Sequence, residues 1–185
     1  MFFIKKVLVI TVFITTLFSQ TVFQPQTKEE LQTAVNLWVD DNTTALSEYG
    51  EINTWDVSLV TDLSYLFSNK TTFNDDISSW DVSNVIDMSF MFNGASSFNQ
   101  NLNTWDVSSV ANMAQMFTYS AFNGDLNDWD VSNVVNMESM FAHTDYNGNV
   151  STWNVTSVTY MSSMFSYAEQ FNQDISSWDV SSVVT

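Results

Sequence analysis

Hydrophobic and polar positions along this chain follow one long period and, within it, two short ones. Through more than two thirds of the sequence the same pattern returns every 24 or 25 residues. In the unit that begins at Ile77, the apolar residues Trp80 and Val82 alternate with polar neighbours, which predicts a short strand. Apolar residues then recur at three- and four-residue spacing from Val85 to Phe92, which predicts one or two helical turns. The period is marked by tryptophans at Trp55, Trp80, Trp105, Trp129, Trp153 and Trp178.

One such unit cannot bury its own apolar residues, whereas stacked units cover one another. We therefore expect an α/β solenoid, a leucine-rich-repeat-like stack of about five 24–25-residue units, each with a short parallel strand and a short helix. Eight of the nine methionines lie in one paired column. A stacked core explains that column better than a site for a soft metal does. The tryptophans occupy the inward strand positions, so we also assign them to the core and not to a glycan-stacking platform.

Three segments are expected along the chain. Residues 1–21 resemble a secretory signal peptide, because two lysines precede an apolar run that is short for a membrane span; an uncleaved anchor is the alternative. Residues 22–51 hold a linker and an N-terminal cap helix, which opens with a capping box from Thr27 to Glu30. Residues 52–185 form the repeat solenoid, whose last unit is incomplete. This uncapped C-terminal end predicts either a longer array or self-association.

The charge limits the partners that the chain can bind. The sequence carries 21 acidic and 4 basic residues, and its formal net charge is −17. Nucleic acid and anionic lipid are bound through Lys and Arg, so we expect neither as a partner. We also expect no membrane span in the mature chain, because the apolar run lies in the predicted signal peptide. The sequence contains no cysteine, so packing must hold the fold together. The remaining partners are cations, basic proteins and neutral surfaces such as glycans.

The solvent side of the predicted strands forms a repeated polar face. In its central column an aspartate stands in five of six units. Stacked carboxylates can bind Ca²⁺, although serine hydroxyls and water can also satisfy each of them separately. The predicted strand-face binding residues are Ser79, Asp81, Ser83, Thr104, Asp106, Ser108, Asp128, Asp130 and Ser132. A weak Ca²⁺ site, the one cofactor considered, would use Asp56, Asp81, Asp106, Asp130 and Asp179.

The loops between the units vary most, and their exposed residues Tyr119, His143 and Tyr167 are predicted to contact a partner. A column of asparagines lies between apolar neighbours, which predicts side-chain hydrogen bonds to the backbone from unit to unit. These asparagines are Asn74, Asn99, Asn123, Asn147 and Asn172. If the source is eukaryotic, four sequons predict glycosylation at Asn42, Asn69, Asn149 and Asn154.

The repeated run Trp-Asp-Val-Ser-x-Val-x-x-Met-x-x-Met-Phe, with Phe-Asn-x-Asp-Ile before the next Trp, resembles the BspA-like leucine-rich-repeat surface-protein family. The resemblance extends roughly from Ile52 to Thr185. It implies a leucine-rich-repeat-type solenoid in an exported or surface-attached protein. Some members of that family are implicated in adhesion, and many have no assigned function.

These observations predict a non-enzymatic secreted or cell-surface module that presents an acidic, Ser/Thr/Asp-lined surface to an extracellular protein or glycan. The alternative is a structural, Ca²⁺-bridged and self-associating array of a wall or matrix. Catalysis finds no support, because the lone His143 lies in a variable loop and there is no cysteine. The regular spacing of the acids also argues against a single tuned acid–base pair, which needs two carboxylates in different environments.

Overall fold

The computed structural model describes residues 22–184, and its helices all lie near the N-terminal end of that range. Helix α1 spans Lys28–Asp40, α2 spans Asn42–Tyr49, and a one-turn 3₁₀ helix spans Ile52–Thr54. Within the described residues there is no further helix and no strand, only isolated parallel bridges. These bridges join Asp62, Asp87, Asn112, Asn136 and Tyr160 in that order. The predicted signal peptide lies outside the described residues.

The rest of the described chain forms five layers, each one repeat, followed by the start of another. Backbone N–H groups of one layer donate to carbonyl oxygens of the next: Phe67 N to Met91 O at 2.9 Å, Phe92 N to Met116 O at 2.9 Å and Phe117 N to Met140 O at 3.0 Å. Equivalent residues therefore form columns along the stack. The layers, numbered 1 to 5, are residues 52–76, 77–101, 102–125, 126–149 and 150–174.

The expected α/β solenoid is wrong, because no layer contains the predicted helix. The segment of layer 2 predicted as helical is a series of β-turns, with Met91 N donating to Met88 O at 3.2 Å and Asn93 N to Phe90 O at 3.1 Å. Phe90 has φ 58°, in the left-handed region, and a right-handed helix cannot continue through it. Its N–H donates to Ala114 O of layer 3 at 2.9 Å instead. Apolar spacing of three and four residues fits successive turns as well as it fits a helix, so periodicity could not separate the two.

The predicted strand is also absent from the described layers. In layer 2 the N–H of Trp80 turns back to Ile77 O at 3.1 Å, so it forms no ladder with a neighbouring layer. The side chain makes the link between layers, because the indole Nε1 of Trp80 donates to Ile52 O at 2.8 Å. The same bond recurs at Trp105, Trp129, Trp153 and Trp178.

The predicted inward orientation of the tryptophan and methionine columns is confirmed. Trp80 and Trp105 are each 3 % exposed, and Met88 and Met113 are fully buried. Phenylalanine rings of successive layers stack with centroid separations of 5.4, 5.6, 5.6 and 5.7 Å. Such offset stacks are favourable beyond the apolar area that they bury. The rings of that column belong to Phe67, Phe92, Phe117, Phe141 and Phe165.

The predicted asparagine ladder is confirmed as well. The side-chain oxygen of each asparagine accepts a hydrogen bond from the backbone N–H of the asparagine one layer on, at 2.9, 2.9, 2.8 and 3.1 Å. The ladder runs from Asn74 through Asn99, Asn123 and Asn147 to Asn172. The ladder thus supplies acceptors for backbone N–H groups in a part of each described layer where the backbone makes no hydrogen bonds to the neighbouring layer.

Helix α1 lies against layer 1. Thr27 caps it by accepting from Glu30 N at 3.2 Å, while Glu30 Oε2 accepts from Gln26 N and not from Thr27 as the capping box predicts. Gln32 Nε2 donates to Leu66 O at 3.0 Å, at the position where a preceding layer would have supplied a backbone N–H. Lys28 Nζ lies 2.8 Å from Asp62 Oδ1. At the other end of the stack Trp178 is only half-buried and Val180 is 50 % exposed, and self-association through that face stays a prediction.

Phe117→Ala tests the stacked core directly. Phe117 is fully buried between the rings of Phe92 and Phe141. We expect the substitution to lower the free energy of unfolding by about 3–5 kcal/mol, because it leaves a cavity that stacked layers cannot close. Urea denaturation measures the change. The exposed neighbour Tyr119→Ala is the matched control and should cost about 1 kcal/mol or less; equal losses in the two variants would contradict the layer assignment.

Tyr146→Phe should stabilise the protein. Tyr146 is fully buried in a column that otherwise holds phenylalanine, and within the described residues its hydroxyl has no hydrogen-bond partner. Burial raises the pKa of this phenol, which keeps it neutral. Gly148 leaves room for the hydroxyl, since a Cβ at that position would lie 2.5 Å from Tyr146 Oη. Removal of an unpaired buried hydroxyl should raise the free energy of unfolding by about 1 kcal/mol in urea denaturation. A loss of stability would mean that the hydroxyl is hydrogen-bonded in solution.

Candidate binding site

The aspartate column predicted for the strand face forms local turns. Asp106 Oδ1 accepts from the N–H of Ser108 at 3.1 Å and from its hydroxyl at 2.6 Å. The side-chain bond from the serine, followed by the backbone bond, lowers the pKa of this carboxyl. The same causes in the same order lower the pKa of Asp56. Hydrogen bonding from the serine two residues ahead also lowers the pKa of Asp130 and of Asp179. The carboxylates therefore hold turns of the backbone in place.

Two further columns use the same device. The backbone N–H two residues on donates to Asp76 at 2.9 Å and, in layer 3, to Asp125 at 3.2 Å. In the column of isolated bridges, Asp62 and Asp87 each accept from a serine N–H at 2.7 Å. Asp and Asn side chains are suited to such turns because their oxygen reaches the N–H two residues ahead. Much of the acidity of the chain thus follows from the number of turns in each layer.

The predicted strand-face residues lie together on one polar face and are exposed or half-buried. Several of them already bond the neighbouring layer. Ser79 donates to Asn53 O, Thr104 Oγ1 donates to Ser78 O at 3.1 Å, and Asp128 Oδ2 accepts from Asn103 Nδ2 at 2.7 Å. Because these side chains form hydrogen bonds between layers, their recurrence in each repeat is explained without a ligand. Contact of this face with a partner stays a prediction.

The weak Ca²⁺ site also stays a prediction. Its five aspartates lie in one column, and each accepts a hydrogen bond from the serine two residues ahead. Asp56, Asp81 and Asp106 accept from both the hydroxyl and the N–H of that serine. Asp130 and Asp179 accept from its N–H. Among the described residues, no group of three or more His, Cys, Asp or Glu side chains is arranged to hold a metal ion.

The three loop residues predicted to contact a partner come together as one stack. The rings of Tyr119 and His143 lie 4.3 Å apart at 11°, and those of His143 and Tyr167 lie 4.5 Å apart at 14°. Tyr119 is 57 % exposed and Tyr167 is 72 % exposed. We call these three residues the aromatic ridge. Their adjacency follows from the register of the layers, because each comes two positions after the phenylalanine that its layer contributes to the stacked column.

The backbone of the aromatic ridge is unfavourable for these residue types. Tyr119, His143 and Tyr167 have φ of 57°, 56° and 56°, in the left-handed region that glycine and asparagine prefer. Layers 1 and 2 place Asn69 and Gly94 at the same position. Each aromatic residue there costs on the order of 1 kcal/mol relative to glycine. The ring side chains are kept at a position where the backbone favours other residues.

Open grooves flank the aromatic ridge on both sides. One has a volume of about 390 Å³ and adds Ser120, Thr144, Asp145 and Glu169 to the ridge residues. The other has a volume of about 270 Å³, and its lining includes the hydroxyl groups of Thr118, Ser139, Ser163 and Ser166. The ridge therefore separates an acidic groove from a neutral, hydroxyl-lined one.

The four sequon asparagines are all exposed. Asn42 is the first residue of α2, and Asn69 occupies the ridge position of layer 1. Asn149 and Asn154 are turn residues whose oxygens accept from Ser151 N and Thr156 N. These positions leave room for a glycan, and their use stays a prediction.

The comparisons with known proteins give the class to which the chain belongs. A family model described as Mycoplasma protein of unknown function, DUF285, matches residues 35–146 and 119–185. The two matches together cover most of the sequence, so the chain belongs to this family. No curated protein and no solved structure matches it. No helix within residues 22–184 is long and apolar enough to cross a membrane.

Ser108→Ala tests whether the aspartate column stabilises turns. Removing the hydroxyl should lower the unfolding midpoint at neutral pH by about 1–2 °C, because a hydrogen bond open to water contributes less than about 1 kcal/mol after screening. The pKa of Asp106 is lowered in the folded state. This stabilisation is therefore present above the unfolded-state pKa of about 4 and is lost as pH falls through the folded-state value.

The midpoint difference between wild type and Ser108→Ala should consequently shrink in acid, measured by thermal denaturation from about pH 7 to about pH 2. Thr156→Ala is the matched control, because Thr156 bonds the amide oxygen of Asn154, which does not titrate in this range. Its midpoint difference should stay constant. An equally constant midpoint difference for Ser108→Ala would contradict the role of the Asp106 carboxylate in stabilising the turn.

Proposed function

We propose that this chain is a non-enzymatic extracellular or cell-surface binding module that contacts a protein or glycan partner through the aromatic ridge. One observation carries the proposal: three large ring side chains stand exposed in a column whose left-handed backbone favours glycine or asparagine. Residues held at such positions against their backbone preference are concentrated at functional sites. Fold stability does not explain these rings, because they lie outside the buried columns.

The chemistry of the described side chains supports binding over catalysis. His143 is the one histidine of the sequence, and both faces of its ring are covered by tyrosines. The carboxyls of the aspartate column have lowered pKa values through bonds from serine, whereas a general acid near neutral pH needs a raised one. This environment repeats from layer to layer, so no two carboxyls of the column stand out as a pair in different environments.

A closer kinship with BspA-like surface proteins is part of the proposal. It rests on the repeated Trp-Asp-Val-Ser and Met-x-x-Met-Phe motifs, which run through all five layers with conservative replacements. The leucine-rich-repeat architecture implied by that resemblance does not carry over, because the layers lack the strand and the helix. Export rests on the signal-peptide pattern of residues 1–21.

A ridge variant with a matched control tests the proposal. The ridge variant carries serine in place of Tyr119, His143 and Tyr167. The control variant carries serine in place of the exposed tyrosines Tyr65 and Tyr160. The full chain and both variants are immobilised and exposed to a glycan array and to purified extracellular-matrix proteins. We expect wild type and control to retain a specific ligand that the ridge variant loses by at least about tenfold in affinity.

Circular dichroism and the unfolding midpoint establish that the variants remain folded. Retention of the same ligand by the ridge variant would place binding elsewhere on the molecule. Absence of any specific ligand for wild type on both platforms would refute the binding function.

A further inference from the structure

The column that contains the aromatic ridge has a gap next to Tyr119. The hydrogen bonds between layers fix the order of the column: Asn69 N donates to Asn93 O, Gly94 N to Thr118 O and Tyr119 N to Ala142 O, at 2.7, 2.8 and 3.2 Å. Gly94 therefore stands directly before Tyr119 in the stack. Because glycine has no side chain, layer 2 supplies no ring to stack on Tyr119, and the Asn69 amide of layer 1 reaches toward that place.

The two faces of Tyr119 thus differ. One stacks on His143 with a centroid separation of 4.3 Å. On the other side the described residues place no ring against it, and the side chain as a whole is 57 % exposed. A planar or flat group of one layer's thickness would continue the stack at this point.

Asparagine provides a polar group at the edge of the gap. Asn69, one layer before Gly94, is exposed, and its Oδ1 lies 2.6 Å from where a Cβ of Gly94 would be. The amide oxygen therefore occupies the space beside the Gly94 backbone where a side chain would begin. A flat group that stacks on Tyr119 would meet this amide at its edge, and the amide can both accept and donate hydrogen bonds.

The charges around the gap favour a neutral occupant over a cationic one. The acids of the loops, Asp145 and Glu169, belong to layers 4 and 5, on the other side of Tyr119. At the equivalent position, layers 2 and 3 hold Ser96 and Ala121. The loops of layers 1 to 3 thus contain no acidic residue that would pair with a guanidinium or ammonium group, and the charged residue among them is Lys70.

We propose that the open face of Tyr119, beside Gly94, is a stacking site for a neutral pyranose ring, with Asn69 available to its hydroxyl groups. This inference rests on the proposed binding function and names its ligand class and contact face. The apolar face of a sugar ring would cover the tyrosine, while its equatorial hydroxyls face the amide and water. Gly94 is required because any side chain on it would fill the site.

The test uses the methyl glycosides of glucose, galactose and N-acetylglucosamine, titrated into the full chain. NMR shifts of the Tyr119 ring and of the Gly94 amide report occupancy. We expect at least one glycoside to give saturable shifts at both positions. Tyr119→Ala and Gly94→Tyr should each weaken its binding by at least about tenfold, which corresponds to ~1.4 kcal/mol. Because Gly94 has φ 72° and a Cβ there would lie 2.6 Å from Asn69 Oδ1, the Asn69 side chain must move in Gly94→Tyr, and the unfolding midpoint of this variant establishes that it remains folded.

Tyr65→Ala is the matched control and should leave the affinity within about twofold. Tyr65 is also an exposed tyrosine with positive φ, but its ring stacks on Phe90 and it lies outside the ridge column. Shifts that do not saturate for any glycoside, or equal affinity in wild type and Tyr119→Ala, would overturn the inference. Saturable binding of arginine ethyl ester in place of the glycosides would overturn the choice of a neutral ring. If a partner bound through the ridge with an affinity that Gly94→Tyr did not change, the proposed binding function would hold, but the sugar site beside Gly94 would be refuted.

Discussion

Hydrogen bonding between layers is the constraint on which the rest of this structure depends. Within the turns, alternate backbone N–H groups such as those of Tyr65, Phe67 and Asn69 leave their own layer and donate to the next one. This fixes a one-to-one register between repeats, so that each side chain lies beside its equivalents. Phenylalanine then stacks on phenylalanine and asparagine bonds asparagine. The alternation also requires left-handed residues in the turns, and it thereby sets the backbone on which the exposed rings stand.

The same constraint gives the acidity of the chain a structural explanation. Each layer changes direction several times with no proline and at most one glycine, and Asp or Asn side chains make many of those turns by accepting the N–H two residues ahead. Their carboxylates must remain at the surface to do so. The surface that a partner meets is consequently polar, acidic and regular over most of its area. The aromatic ridge departs from that regularity, as does the smaller stack of Tyr65 on Phe90.

The burial pattern of this protein was predictable from its sequence, whereas the backbone conformation was not. Trp80 and Met88 recur at a fixed period, and a period assigns such residues to a shared core whatever the backbone does between them. The distinction between a helix and successive β-turns depends on the sign of φ at residues such as Phe90, and no apolar spacing reports that sign. The loop tyrosines were recognised as candidate contacts one by one. That these residues form one ridge could be seen only once the register of the stacked layers was known.

Successive repeats stack in register and so bring Tyr119, His143 and Tyr167 side by side. A nuclear Overhauser spectrum of the aromatic protons tests it most directly. We expect cross-peaks between the rings of Tyr119 and His143 and between those of His143 and Tyr167, with none between the two tyrosines. Missing cross-peaks for both neighbouring pairs, in a protein whose buried phenylalanine rings do show contacts from layer to layer, would contradict it.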